Sequence, residues 1–223
     1  MPLTNDSSEH TRHKNARAAQ LLVPIRSLAE NHRPRIEEHL LGLNARDRYL
    51  RFGYAAKDAQ IQRYVAGLDF VRDEVFGIYN RKLALIALAH LAYPVEVEFE
   101  RCAEFGVSVA HHARGRGYGA RLFERAALHA SNDGIDAMFI HALTENEAML
   151  TIAKNAGAVL VRDGAESQAH LRLPHANWES QLTEILDEQI AQADYAIKRQ
   201  AHQFGTWLKS LQVDRASEAS VDD

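Results

Sequence analysis

Arg114-Gly115-Arg116-Gly117-Tyr118-Gly119 stands directly behind the apolar run Phe105-Gly106-Val107-Ser108-Val109 and leads straight into the helix-like stretch Ala120-Arg121-Leu122-Phe123. A glycine-rich turn that opens a helix points several main-chain N–H groups at one spot, and the helix dipole adds positive potential there. Arg114 and Arg116 supply charge-assisted donors that a purely structural turn does not need. The stretch therefore reads as a phosphate cradle between a strand and a helix, and the elements on either side decide which phosphate it holds.

Upstream, Val75–Tyr79, Leu83–Tyr93 and Phe105–Val109 are short apolar runs divided by turn residues such as Asn80-Arg81-Lys82, which predicts an antiparallel meander ending at the loop. Before it, Leu21–Leu28 has the alternation of an opening strand. Two helical patterns follow that strand: one has Pro34 near its start and Ile36, Leu40 and Leu43 at helical spacing, the other runs from Tyr49 through Ile61 to Val65. Downstream, the spacing predicts a helix from Gly117 to about Ser131, a strand over Ala137–His141, a helix from Glu145 to Asn155, and two short strands near Val159 and Leu171. Beyond Pro174, Leu186, Ile190, Ala193, Ile197, Ala201, Phe204, Leu208 and Leu211 fall at steps of three and four, the mark of one long amphipathic helix.

These patterns divide the chain into a polar, disordered tail over 1–19, a domain over 20–175, an amphipathic helix over 176–212 and a second disordered tail over 213–223. The apolar stripe of the last helix is expected to dock on its own domain or on a twin subunit, the latter giving a homodimer. With 223 residues, 46% of them hydrophobic, the chain can bury one full core. A net charge of −4 offers no general attraction to nucleic acid or anionic lipid. The longest apolar run, Leu83–Tyr93, is far short of the ~20 residues that span a bilayer, so no membrane partner is expected. The polar first twenty residues lack a secretory apolar stretch, which predicts a cytoplasmic location. Cys102 is the sole cysteine, read as an inert core thiol, and excludes an intrachain disulfide or thiolate zinc site. His90, His129, His141 and His170 share no metal-ligand spacing, so no metal is expected.

Gly115-Arg-Gly117-Tyr-Gly119-Ala120 also fits the dinucleotide fingerprint. That fingerprint belongs after the first parallel strand, with an acidic residue at the far end of the next strand. Here the loop follows an antiparallel meander in mid-chain, and Asp136 begins the following strand. The arrangement instead resembles the GNAT superfamily of N-acetyltransferases, whose pyrophosphate signature is Arg or Gln, two residues, Gly, one residue, Gly or Ala; Arg114, Gly117 and Gly119 match it in full. The element order over about residues 20 to 175 is also that family's. Asn146 after the fifth strand, followed at the family's spacing by Gly157, is a second match. In motif detail, Leu43–Phe52 and Glu145–Ala153 look most like the bacterial protein-lysine acetyltransferases.

The resemblance implies an α/β (α+β) fold: a mixed, largely antiparallel twisted sheet of about seven strands with flanking helices, to which this chain adds the long C-terminal helix. It implies acetyl-CoA as acetyl donor, with strands four and five splayed and pantetheine against the main chain of Val107 and Val109. The diphosphate would lie on Arg114, Gly115, Arg116, Gly117, Tyr118 and Gly119, and Asn146 would bond the pantetheine arm, unless Asn146 is only a helix N-terminal residue. The acceptor is expected to be an amine, read first as a protein lysine, with a small amine such as a polyamine, amino acid or drug as the alternative. A lysine-like amine has a pKa of ~10.4 and is almost wholly protonated at neutral pH, so a base is required. Glu104 matches a position where many relatives carry it, the alternative being a strand-edge glutamate paired with a loop arginine. Glu96, Glu98 and Glu100 are lesser candidates. His111 and His112 lie near the expected mouth and read as exposed loop residues or proton shuttles. The tyrosine that many relatives use to protonate the departing thiolate is replaced by Ala153. That absence keeps a second reading open, a non-catalytic acyl-CoA-binding module.

Overall fold

The computed structural model describes residues 23–94 and 101–174. The predicted C-terminal helix, the dimer expected through it, both tails and Glu96, Glu98 and Glu100 lie outside the described residues.

Strand β1 (Arg26–Ser27) is followed by a 3-10 turn at Glu30–His32 and three helices, α1 (Arg33–Leu41), α2 (Ala45–Phe52) and α3 (Asp58–Ala66). Then come β2 (Glu74–Tyr79), β3 (Leu85–Ala92), β4 (Cys102–Val109), a 3-10 turn at His111–Ala113, α4 (Tyr118–Asn132), β5 (Ala137–Leu143), α5 (Glu147–Asn155), β6 (Val159–Asp163) and β7 (Glu166–Arg172). The seven strands form one sheet in the order β1-β2-β3-β4-β5-β7-β6. Every pairing is antiparallel except β4 with β5, which is parallel.

Three details depart from the expectation. The stretch that reads as one helix from Tyr49 to Val65 is two, because Gly53 adopts φ 78° and its N–H caps Tyr49 O, closing α2 in the left-handed conformation. Strand β3 begins at Leu85, two residues later than expected, since Leu83 sits at φ 60° inside a turn whose Asn80 side chain accepts from the N–H groups of Lys82 and Ala84. Cys102 opens β4 half-buried and is no part of the core.

Each face of the sheet carries its own core. Helix α4 buries Leu122, Phe123 and Ala126 against Phe76, Phe105 and Met138, with Phe105 and Phe123 edge to face at 5.1 Å. On the other face α1 and α3 bring Ile36, Leu40, Ile61 and Val65 onto Val75, Leu85 and Leu88. Each such side chain contributes roughly 1.5–3 kcal/mol by burial, so both layers hold the sheet's middle strands in place.

Candidate active site

Strands β4 and β5 pair over only three positions, Cys102 with Ala137, Ala103 with Met138 and Glu104 with Phe139. Past Glu104 they separate, because β4 stays with β3 as far as Val109 opposite Ala87, while β5 stays with β7 as far as Leu143 opposite Glu166. A wedge opens between them. The Ala110 N–H donates to Ile86 O at 2.9 Å across β3. Strand alternation then turns the main-chain groups of even-numbered β4 residues onto β3 and those of Val107 and Val109, beyond the last paired position, into the wedge.

The wedge holds two clefts. The larger, about 590 Å³, runs between the end of β4, the glycine-rich loop and α5, and its lining includes Val107, Val109, Arg114, Gly115, Gly117 and Gly119. Gly115 and Gly117 adopt φ 71° and 75°, where a side chain is strained. Helix α4 starts on Gly117 with no side-chain cap, so its first-turn N–H groups are left for the cleft. The Tyr118 ring is buried in the α4 core, leaving its main chain to the loop. Arg116 is exposed and does not belong to the lining. Arg114 points back along the cleft: its Nε donates to Val109 O at 3.3 Å, and its guanidinium pairs with the buried carboxylate of Asp47.

The smaller cleft, about 260 Å³, lies towards β7 and is walled by Arg51, Phe52, Glu104, His141 and Glu166 among others. The two clefts share Leu50, Arg51, Val107, Asn146 and Met149, so they meet above the point where the strands part. Glu104 presents an exposed carboxylate at that divide. Asn146 caps α5, its Oδ1 accepting from Met149 N–H at 3.3 Å, while its Nδ2 donates to Leu50 O at 3.4 Å. Asn146 is thus a helix cap whose side chain also lines both clefts. Ala153 is fully buried in the core and carries no hydroxyl towards the site. His111 and His112 are exposed in their 3-10 turn.

Helix α2 straps the wedge, a role that its sequence pattern does not announce. Asn44 caps it through Asp47 N–H, which fixes its register. From there Asp47 reaches the glycine-rich loop, Arg46 pairs with Glu145 at 2.8 Å, Leu50 O meets Asn146, and Arg51 lies against Gly106. The one signal in the sequence is the Asp47–Arg51 spacing of four, which puts both charges on one helix face.

Two buried polar assemblies support this side of β4. Arg51 Nη2 donates to Tyr64 Oη at 2.8 Å, the Tyr64 hydroxyl donates to His90 Nδ1 at 2.8 Å, and His90 Nε2–H donates to Asp73 Oδ2 at 3.1 Å. Burial, then Arg51, lowers the His90 pKa, so this histidine is neutral and its contact with Asp73 is a hydrogen bond. Burial raises the Tyr64 pKa and keeps its proton in place. Burial also opposes ionisation of Asp73, yet bonds from Arg72, the Tyr93 N–H and His90 together hold its pKa below the usual value. In the second assembly His39 Nδ1–H donates to Leu85 O at 3.0 Å and Nε2 accepts from Ser108 Oγ at 2.9 Å. Burial pushes the His39 pKa down from 6.5 to about 4.

Among the described residues no group of three or more His, Cys, Asp or Glu side chains could hold a metal ion, and no helix is long and apolar enough to cross a membrane.

The family model described as "Acetyltransferase (GNAT) family" matches residues 35–157. Among solved structures, the GNAT domain of PAT from S. lividans is 20% identical, with 67% of this chain and 89% of that one covered at a TM-score of 0.57. Spermidine N-acetyltransferase from Vibrio cholerae, in complex with CoA and spermine, is 17% identical over 68% and 95% of the two chains at 0.53. The acetyltransferase yncA from Salmonella typhimurium, with acetyl-CoA, is 16% identical over 70% and 96% at 0.54. At these identities the likeness is one of fold. No curated protein sequence matches the chain.

Proposed function

This chain belongs to the GNAT acetyltransferase family, and from that premise we propose that it transfers the acetyl group of acetyl-CoA to a small primary amine by direct attack in a ternary complex. One observation carries the reading: the wedge between β4 and β5 runs from the uncapped start of α4 to an exposed carboxylate, Glu104. Acetyl-CoA supplies an acyl group activated as a thioester. Its diphosphate is held by the N–H groups of residues 115–119 and by Arg114, whose bond to Asp47 must give way or be shared. The turned-out main chain of Val107 and Val109, with Asn146, orients its extended arm. Glu104 takes the proton from the acceptor ammonium, directly or through water, a role typically worth ~10²–10⁴ in rate. With alanine at position 153, the leaving thiol, whose pKa is roughly 8.5, departs as thiolate when the C–S bond breaks, and the second proton, shed by the attacking nitrogen as the tetrahedral intermediate collapses, reaches it through water.

The 260 Å³ acceptor cleft favours a small molecule, which it would enclose. A protein lysine is the second reading, favoured by the resemblance of Leu43–Phe52 to the protein-acetylating branch. Calorimetry with acetyl-CoA, followed by mass spectrometry of products from a panel of amines and cell extract, tests both. Acetylated small amines are expected. Labelled protein with no labelled small molecule would support the lysine reading, binding without turnover would leave an acyl-CoA-binding module, and no heat with any CoA species would end the assignment.

A further inference from the structure

Arg51 is the anomaly of the site. Its helix neighbours Arg46 and Arg48 each have a carboxylate, Glu145 and Asp58, and Arg48 bonds three main-chain carbonyls besides. Arg114 has Asp47. Among the described residues Arg51, half-buried, has only the neutral Tyr64 hydroxyl and the rings of Phe52 and Tyr64, at 5.2 and 5.4 Å. Its buried Nε has no partner, and no carboxylate among the described residues comes within ion-pair distance of it. A partly desolvated guanidinium without an anion is costly, and a protein that keeps one gains where a ligand completes the pair.

The position says which ligand. Arg51 lines both clefts where they meet, and its guanidinium lies so close over Gly106 that a Cβ there would stand 2.8 Å from Cζ. Gly106 and Glu104 are two residues apart on β4, so their side-chain directions share one face about 6.6 Å apart. The Tyr64–His90–Asp73 chain fixes the guanidinium from behind. The glycine-rich loop, where a diphosphate would lie, is at the other end of the larger cleft. An anion at Arg51 is thus beside the acceptor amine.

We propose that Arg51 binds a carboxylate of the acceptor, so that the preferred substrates are amines that also carry a carboxylate, free amino acids being the simplest. This rests on the acetyltransferase reading above. The ammonium sits at Glu104 and the carboxylate at Arg51, and a polyamine is disfavoured because Arg51 meets its second cation.

The test uses the full-length chain with acetyl-CoA and acceptor pairs that differ only in the carboxylate, such as L-methionine against 3-(methylthio)propylamine and L-phenylalanine against phenethylamine, with spermidine alongside. CoA release reports turnover. The acid-bearing member of each pair is expected to have kcat/KM at least ~10-fold higher, and Arg51→Gln to raise its KM at least ~10-fold while acetyl-CoA affinity stays within about 2-fold. Arg51→Lys should restore part of the preference. The proposal fails if the bare amines or spermidine match the acids in the unaltered protein, or if Arg51→Gln lowers kcat equally for both members of a pair. No turnover of any of these amines would remove this proposal, and the acetyltransferase reading falls with it only where the wider panel of amines and cell extract is also blank, whereas turnover of bare amines alone would remove only this one.

Discussion

Lowering the pH should weaken the fold through one residue, His39, by an amount that follows from its burial. The imidazole is buried between Leu85 O and Ser108 Oγ, with its folded pKa at about 4 against 6.5 in an unfolded chain. Below about 6.5 the unfolded chain takes up a proton that the folded chain refuses, so stability is complete above that value and declines until the pH passes the folded pKa. The full span is worth about 3 kcal/mol, of which about 2 kcal/mol falls between about pH 7 and pH 4.5. Urea unfolding of the unaltered protein and of His39→Gln at both pH values measures it. The substitution has its own cost at either pH, and His32 and His90, whose pKa values burial also lowers, titrate in both proteins. The quantity of interest is therefore the difference between the two pH dependences. The unaltered protein should lose about 2 kcal/mol more than the variant on acidification. Equal losses would mean that His39 is hydrated or charged at neutral pH, and the Ser108 anchor would not hold it as described.

Glu104→Gln should lower turnover by at least ~30-fold with acetyl-CoA binding unchanged, as read by steady-state kinetics beside calorimetry; a smaller loss would move the proton-accepting role elsewhere. Gly117→Ala forces a side chain into φ 75° and should cost roughly 1–2 kcal/mol in thermal unfolding while raising KM for acetyl-CoA. Gly106→Ala should fold normally, because the atoms in its way are the flexible end of Arg51, yet it should displace that guanidinium and raise KM for the acceptor alone.

The sheet and the loop are legible in the sequence because they are written locally. Apolar runs broken by turn residues mark β2, β3 and β4, and three glycines with an arginine mark the loop that lines the larger cleft. Gly53 escapes such a reading because the periodicity on both sides of it is helical, although its positive φ ends α2 and the chain re-enters a helix only at Asp58. The strap formed by α2 is illegible for a different reason. Arg46, Asp47 and Arg51 look like an ordinary solvated helix face, and nothing local says that their partners are Glu145, Arg114 and Tyr64, residues up to about a hundred positions away. His90 and His39 look like ordinary packing residues for the same reason, since their partners Tyr64 and Ser108 adjoin them only through the sheet.

The wedge itself is the part of the molecule that calls for an occupant. A sheet normally closes its main-chain bonds, and unpaired strand groups away from water cost about as much as lost hydrogen bonds. Here β4 runs past Glu104 with a partner strand on one side only, and Val107 and Val109 turn their N–H and C=O groups towards the cleft, where the Val109 carbonyl accepts from Arg114 Nε. An extended chain bearing its own amides, laid beside β4, closes that ladder as an added strand would. The arm of coenzyme A is such a chain, and the function proposed above lays it there with its diphosphate at the start of α4 and its thioester near Glu104. A nicotinamide dinucleotide has no amide-bearing arm to lay along a strand. The two readings of the glycine-rich loop therefore part company on β4: coenzyme A requires slowed amide exchange at Val107 and Val109 when it is added, and protection confined to the loop would count against it.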